Sequence, residues 1–201
     1  MIGRDLKTML FVPASRPERI PKAIASDAGA VIVDLEDAVP AAAKDSARDS
    51  LDAFLRGHDG ALIFVRINAR GTAGFEADLA LCARHANVVG IMLPKAESAE
   101  DVRVVAGAGK SIIPLIESAR GLVALNEIAA VPEVERLSYG GLDLSDDLGL
   151  EVNTGAAEMV MDQCRYQLLV SSRAAGLLAP IDTVFPVFDD EEAVLSRARR
   201  A

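Results

Sequence analysis

The sequence predicts an α/β protein of the TIM (β/α)8-type barrel class, and three observations support that fold. Strand-sized apolar runs alternate with Ala-rich amphipathic stretches along all 201 residues. The runs are apolar throughout, as expected for parallel strands covered by helices. No G-x-G-x-x-G or P-loop follows the first run, which disfavours the alternative of an open, doubly wound nucleotide-binding sheet. With 51% hydrophobic residues the chain can bury one sizeable core, so we expect residues 1–201 to form one domain.

Seven predicted strands set the order of the elements. They are TMLFVP at 8–13, AVIVDLED at 30–37, ALIFVRIN at 61–68, VVGIMLPKA at 88–96, SIIPLIES at 111–118, RLSYGGLDL at 136–144 and IDTVFPVF at 181–188. Between them, stretches such as ERIPKAIAS, AAAKDSARDSLDAFL, FEADLALCARH and MVMDQCRYQLLVSSRAAG are typical of amphipathic helices. After the seventh run only a helix-like tail remains. We therefore expect a barrel that lacks the eighth strand and the C-terminal segment, or one in which a neighbouring subunit closes the gap.

Composition excludes several classes of function. A formal net charge of −9 and a pI near 4.8 disfavour a nucleic-acid surface, although a locally basic site can still bind a small anion. Cys82 and Cys164 are too few and too far apart for a disulfide scaffold or a zinc cluster, and we interpret them as reduced structural thiols. The sequence contains neither a signal-peptide pattern nor an apolar run of about 20 residues, which predicts a cytoplasmic protein without a membrane span.

Polar side chains end six of the predicted strands. In a (β/α)-barrel the carboxyl ends of the strands meet at one face, where active sites are built. A rim with this many ionisable or amide groups therefore predicts a functional site. Its members are Arg16, Asp34, Glu36, Asp37, Arg66, Asn68, Lys95, Glu117 and Asp143.

Glu117 and Asp143 are the candidate metal ligands of this rim. Mg²⁺ prefers oxygen ligands and commonly takes one or two carboxylates, with waters or substrate oxygens at its other positions. Carboxylates at the ends of successive strands can meet that need. The alternative is that each caps a helix or is solvated in a loop.

Arg66 is a charged residue at the end of a strand that is otherwise apolar, so it must be paired or must bind an anion. Its guanidinium suits a substrate carboxylate, but a salt bridge to Asp34 or Glu36 explains it equally well, and both roles can coexist. The dense negative charge of Asp34, Glu36 and Asp37 suits support of a metal shell or proton transfer. Asp37 can also simply be solvated at a helix start.

Other residues are weaker candidates. Lys95 can be imagined as a Schiff-base lysine, but its acidic neighbours favour an ion pair or a contact with a substrate anion. His58 and His85 lie away from the strand ends and are interpreted as surface or helix residues. No serine-hydrolase motif is present.

Seven ordered motifs make the chain resemble the citrate lyase β-subunit-like branch of the HpcH/HpaI aldolase superfamily, from about residue 8 to residue 190. They are LFVPASRPERIPKA, VIVDLEDAVP with the following Lys44 and Arg48, FVRIN, IMLPKAES, PLIESARGL, GGLDLSDDLG and AAGLLAPIDTVF. The resemblance implies a Mg²⁺-dependent TIM barrel that makes or cleaves carbon–carbon bonds in citryl, malyl or citramalyl thioesters of coenzyme A or an acyl carrier protein.

Carried over by motif, the resemblance implies specific roles. Glu117 and Asp143 would hold Mg²⁺, and Arg66 together with Glu117 would bind the oxo-acid. Glu36 and Asp37 would support the metal shell and its waters, which makes them, with Arg66, the candidate catalytic groups. The implied products are a 2-oxo acid and an acyl thioester. The family's G-K-x-x-I-H-P-like eighth strand and acidic C-terminal segment are not in this sequence, so a hydroxyacyl-CoA thioesterase and a non-catalytic oxo-acid-binding protein are the alternatives.

Assembly is expected for two reasons. An unclosed barrel leaves strand edges and apolar surface that need to be covered. The resemblance implies trimers or larger homo-oligomers. We therefore predict a homo-oligomer, specifically a trimer.

Overall fold

Six parallel strands form the centre of the protein in a computed structural model that describes residues 6–152, 154–187 and 189–200. The strands are β1 (Met9–Pro13), β2 (Ala30–Asp34), β3 (Ile63–Arg66), β4 (Val88–Leu93), β5 (Ser111–Ile116) and β6 (Ser138–Tyr139). Each strand pairs with the next one along the chain, in the order β1-β2-β3-β4-β5-β6, and the sheet curls into a half-barrel. The predicted TIM-like α/β fold is confirmed as a truncated barrel.

Helices connect the strands. They are α1 (Ile20–Ile24), α2 (Lys44–Gly57), α3 (Phe75–Arg84), α4 (Ala99–Ala106), α5 (Ala119–Val123), α6 (Leu125–Ala129), α7 (Gly141–Asp147), α8 (Gly155–Ala174) and α9 (Glu191–Arg200). Side-chain oxygens of Ser98 and Thr154 accept hydrogen bonds from the first turns of α4 and α8, which fixes where these helices begin. None of the helices in the described ranges is both long and apolar enough to cross a bilayer.

Amphipathic patterning explains why the helices pack on the sheet. In α2 the buried residues Ala47, Leu51, Phe54 and Leu55 recur at intervals of three and four, so they form one stripe. All five residues of β2 are buried, as the continuous apolar run predicts. Complete burial of a side chain such as Leu51 contributes about 1.5–3 kcal/mol to folding.

The sheet has apolar side chains on both faces. The larger cluster lies with the helices and contains both cysteines, which are free and buried as predicted. Ile32, Phe64, Met92 and Ile113 belong to a separate, smaller cluster formed by alternate strand positions. Gly90 of β4 has no side chain because a Cβ there would overlap the Phe64 ring. The sheet is therefore packed on both sides, and its polar groups lie at the strand ends.

The sixth and seventh predicted strands are the main differences from the sequence analysis. The strand predicted at 136–144 ends at Tyr139, and α7 begins at Gly141, after Gly140 has passed so close to Glu117 that no Cβ fits there. The run predicted as a strand at 181–188 makes only an isolated bridge at Ile181. Beyond it the Asp182 carboxylate pairs with Arg165, and the Thr183 hydroxyl accepts a hydrogen bond from the Gly141 N–H, so these contacts draw the chain away from the ladder. Position 188 itself lies outside the described residues.

Candidate functional site

The carboxyl ends of β2 to β5 bring most of the predicted rim residues together. Asp34 is the last residue of β2 and Arg66 the last of β3, and the two are paired in the parallel register. Glu36 follows β2, Lys95 follows β4 and Glu117 follows β5. This arrangement puts acidic and basic side chains from consecutive βα units at one edge.

Arg66 is held by three carboxylates. Its Nε and Nη2 donate to Asp34 Oδ1 and Oδ2 at 2.8 and 2.6 Å. Its Nη1 lies 3.2 Å from Glu36 Oε2 and 3.5 Å from Asp37 Oδ2. Burial opposes the charged guanidinium, but the hydrogen bonds to Asp34 outweigh that cost and raise the pKa of Arg66 above its ordinary value. The salt-bridge interpretation of Arg66 is thus confirmed, and the guanidinium stays charged.

Phe11 of β1 adds an aromatic contact to Arg66. The Arg66 Cζ lies 5.0 Å from the centroid of the Phe11 ring, within the range of a cation–π interaction. The guanidinium is therefore fixed by a ring as well as by carboxylates. Phe11 could not be predicted from the sequence, because nothing in an apolar strand distinguishes a residue that stacks on a cation from one that only fills the core.

Glu36 connects Arg66 to Lys95. Besides its contact with Arg66, its Oε1 accepts a hydrogen bond from Lys95 Nζ at 3.1 Å. Burial raises the pKa of Glu36, although both cations oppose that shift. For Lys95 this contact agrees with the ion pair favoured by the sequence.

Glu117 is a buried carboxylate with a backbone partner. Its Oε2 accepts a hydrogen bond from the backbone N–H of Lys95 at 2.9 Å. Burial, with the negative charges of Glu36 and Asp143, raises the pKa of Glu117 to about 8, against the opposing effect of the Lys95 contact. A carboxylate in such surroundings is stabilised by a cation.

Asp143 lies in the first turn of α7 instead of at a strand end, and it is exposed. Its charge acts on Glu117, which places the two acids in the same region. Gly140, just before α7, is in direct contact with Glu117, since a Cβ there would overlap the carboxylate. Whether Glu117 and Asp143 share one ion stays a prediction.

The donor set fits a Mg²⁺ ion that keeps several waters. Within the part of the chain that the structure describes, no group of three or more His, Cys, Asp or Glu residues is placed to enclose a metal. Mg²⁺ does not need such a cage, because one or two carboxylates and substrate oxygens suffice. Glu117, with Asp143 nearby, offers that number of oxygen ligands.

A second layer of hydrogen bonds fixes the backbone after β2. Lys44 Nζ donates to the carbonyls of Leu35 and Glu36 at 2.8 and 2.6 Å. Asn68 Nδ2 donates to the same Leu35 carbonyl and to the fully buried Asp78. These contacts hold Glu36 in place. Asn68 and Lys44 were both noted from the sequence, as a strand-end residue and a motif position, whereas Asp78 is a distant acid inside α3 that no sequence pattern connects with them.

Two predicted rim residues stand apart. Arg16 pairs with Glu18, and both side chains are more than half exposed. Asp37 reaches Arg66 but is 57% exposed, so it is accessible to a ligand. The inner part of the site is therefore formed by Arg66, Glu36, Lys95 and Glu117.

Comparison with known proteins adds to this geometry. A family model described as HpcH/HpaI aldolase/citrate lyase matches residues 7–201. The citrate lyase subunit beta-like protein of Mycobacterium tuberculosis strain H37Rv is 41% identical over 196 residues, which cover 96% of this chain and 69% of that protein. The (3S)-malyl-CoA thioesterase of Cereibacter sphaeroides strain ATCC 17023 is 32% identical over 200 residues, covering 96% and 67%.

A solved structure shows the same architecture. The Mycobacterium tuberculosis protein CitE, in complex with magnesium, acetoacetate and coenzyme A, superposes with a TM-score of 0.86 at 37% identity. The match covers 99% of this chain and 73% of that one. The likeness spans all six strands, so it includes every element that contributes to the rim.

Proposed function

The chain belongs to the HpcH/HpaI aldolase/citrate lyase family, and from this premise we propose that it is a Mg²⁺-dependent carbon–carbon lyase. Its proposed substrate is a citryl-, malyl- or citramalyl-type thioester of coenzyme A or an acyl carrier protein. Cleavage, or the reverse condensation, interconverts that thioester with a 2-oxo acid and an acyl thioester. The similarity to a protein solved with magnesium, acetoacetate and coenzyme A supports this substrate class.

One observation carries the proposal: a fixed guanidinium at the end of β3 and a buried carboxylate just after β5 lie at the same edge of the sheet. Arg66 has five N–H donors, and Asp34 accepts from two of its nitrogens. Nη1 lies 3.2 Å from Glu36 and 3.5 Å from the exposed Asp37, so a substrate carboxylate would bind at Nη1 and at the second N–H of Nη2 in place of part of these ion-pair contacts. Glu117, which follows β5, provides a carboxylate for a metal ion. The site therefore combines a cationic group for the acid with an acidic group for the metal.

The Mg²⁺ ion would be held by Glu117 and Asp143. When bound, it would supply Lewis-acid charge that lowers the pKa of the substrate hydroxyl and stabilises developing negative charge on oxygen. Glu117 is suited to this role because a cation would relieve the unfavourable burial of its charge.

The protein's own side chains bind and orient the substrate and accept its proton. Arg66 binds and orients the oxo-acid carboxylate, and its fixed position reduces the entropy lost when the substrate binds. Glu36 and Asp37 accept hydrogen bonds from waters or from the substrate hydroxyl, and either carboxylate can take the hydroxyl proton. Lys95 keeps positive charge beside Glu36.

The direct test is to incubate the protein with Mg²⁺ and citryl-, malyl- or citramalyl-CoA and to measure 2-oxo acid and acyl-CoA together. We expect both products in equal amounts, with loss of activity in EDTA and in Glu117→Gln. The absence of a 2-oxo acid from all three thioesters would overturn the lyase proposal.

Hydrolysis of the thioester is the second candidate, because the (3S)-malyl-CoA thioesterase is 32% identical over nearly the whole chain. The two reactions are distinguished by their products in the same assay. Free coenzyme A with an intact hydroxy-acid indicates a thioesterase, whereas a 2-oxo acid with acyl-CoA indicates a lyase.

A further inference from the structure

We propose that Lys95 is a positioning residue that fixes Glu117 through its backbone and Glu36 through its side chain. The inference rests on the proposed function, because it assigns the group that orients the carboxylate meant for the metal. It concerns a residue for which the sequence left the role open. Two contacts and one unusual backbone conformation support it.

The first observation is the backbone of Lys95. Its φ is +50°, and it is the one residue other than glycine with positive φ among the described residues. L side chains rarely adopt this left-handed conformation, and glycine and asparagine do so most easily. Strain of this kind persists only where the surroundings impose it, and it is concentrated at functional sites.

The second observation is what that conformation achieves. β4 ends at Leu93, and after Pro94 the chain turns so that the Lys95 N–H points to Glu117 Oε2 at 2.9 Å. The positive φ of Lys95 then directs the following residues toward β5, so the bond from the Lys95 N–H to Glu117 and the next bond to β5 can form together. The turn is the means by which the end of β4 orients a carboxylate on β5.

The turn is held from both sides. The Ala96 N–H donates to the Leu115 carbonyl of β5 at 3.3 Å. On the other side the Ala96 carbonyl lies against Gly121, where a Cβ would come within 2.7 Å of it. The loop is therefore packed between β5 and α5, which restricts the alternatives open to Lys95.

The third observation is the side chain. If only the turn mattered, glycine would be the least strained choice. Instead, the ammonium of Lys95 reaches Glu36 Oε1 at 3.1 Å, while Arg66 is 3.2 Å from the other oxygen of the same carboxylate. Lys95 thus shares the Glu36 carboxylate with Arg66, and its ammonium adds a second positive charge on the Glu36 carboxylate that also contacts the guanidinium proposed to bind the substrate.

The test separates the backbone from the ammonium. Lys95→Gly and Lys95→Val both lack the charge, but only glycine adopts positive φ without strain. We expect the valine variant to bind Mg²⁺ about tenfold more weakly than the glycine variant in calorimetry, as for other groups that orient a metal ligand. Equal Mg²⁺ affinity of the two variants would overturn the backbone role.

The ammonium is tested by Lys95→Met, which keeps most of the side-chain volume. We expect oxaloacetate to bind about two- to fivefold more weakly at saturating Mg²⁺, the range of a partly exposed ion pair. Unchanged oxaloacetate affinity would contradict the proposed role of the Lys95 ammonium. Lys110→Met is the matched control, because Lys110 bonds the His85 carbonyl at the opposite end of the sheet and should change neither affinity.

A metal-free readout keeps the inference testable if the proposed function fails. Crystals of the glycine and valine variants grown in EDTA should differ at Glu117, whose Oε2 loses its backbone donor only in the valine variant. The same Glu117 position in both would refute the positioning role. Preserved positioning without turnover of any thioester would contradict the proposed function alone.

Discussion

Arg66 bonds to a carboxylate that has almost no contact with solvent, so a change at this residue affects both the fold and the site. Arg66→Lys keeps the charge but cannot donate to both oxygens of Asp34. We expect the free energy of unfolding to fall by about 1–3 kcal/mol and oxaloacetate affinity to fall by about tenfold or more. Urea unfolding and calorimetry measure the two effects.

The matched control is Arg103→Lys on α4. Arg103 is more than half exposed and pairs with Glu100 at 3.7 Å, so this change should alter stability by no more than about 0.5 kcal/mol. Equal effects of the two substitutions would mean that the Arg66 contacts contribute little to stability.

The raised pKa of Glu117 predicts how the stability of the metal-free protein depends on pH. Its pKa is raised from 4.5 to about 8 in the fold, so the folded state binds more protons than the unfolded chain in that interval. The free energy of unfolding in EDTA should therefore fall as pH rises from 4.5 to about 8, and this slope should be smaller in Glu117→Gln. Identical slopes in chemical denaturation would contradict the raised pKa.

For single residues, the sequence was a good guide to which side chains form the site and a poorer guide to what those side chains contact. Strand-end positions were enough to select Arg66, Glu36 and Glu117, because parallel strands bring their carboxyl ends to one face. The stacking of Phe11 and the left-handed turn at Lys95 depend on three-dimensional proximity and loop packing. No spacing rule encodes either of them.

At the scale of elements, the junction of β6 and α7 determines the shape of the site. Gly140 ends the strand against the Glu117 carboxylate, where no Cβ fits. Gly140→Ala should displace that carboxylate and weaken Mg²⁺ binding about tenfold or more, with the helical circular dichroism unchanged.

Gly155→Ala is the control for that substitution. Gly155 begins α8, and a Cβ there meets nothing within 4 Å. This variant should bind Mg²⁺ like the parent protein. If Gly140→Ala also binds normally, the close approach of the backbone to Glu117 has no functional importance.

The first five strands were predictable because each is a continuous apolar run between helices. The sixth and seventh strands were predicted to be longer than the structure shows. At 136–144 the strand gives way to a helix after the close approach of Gly140 to Glu117, which moves Asp143 from a strand end into α7. At 181–188, side-chain contacts of Asp182 and Thr183 compete with the ladder, an effect that hydrophobicity does not report.

For the whole molecule, the free edge of β1 leads to a prediction about assembly. Among the strands in the described part of the chain, β1 pairs only with β2, and Leu10 on it is 42% exposed. We expect a homotrimer in light scattering, with about three times the 21.2 kDa mass of the chain. Leu10→Glu should reduce that mass if a neighbouring subunit covers this edge.

Leu62→Glu is the comparison for assembly. Leu62 is 57% exposed and precedes β3 at the opposite end of the sheet from the site, so its replacement should leave the mass unchanged. A monomeric parent protein would refute the prediction. A trimer in all three proteins would mean that the β1 edge lies outside the interface.

The parallel order of the strands also has a practical consequence for labelling. The inner residues of the site, Arg66, Glu36, Lys95 and Glu117, lie where strands end, so the turns that lead into the strands lie at the far side of the sheet from the ligand. The turn at Asp59 and Gly60 is exposed, and a Cβ on Gly60 meets nothing within 4 Å. A fluorophore or a short affinity tag inserted there should report on the protein in a cell or on a sensor surface without blocking ligand entry.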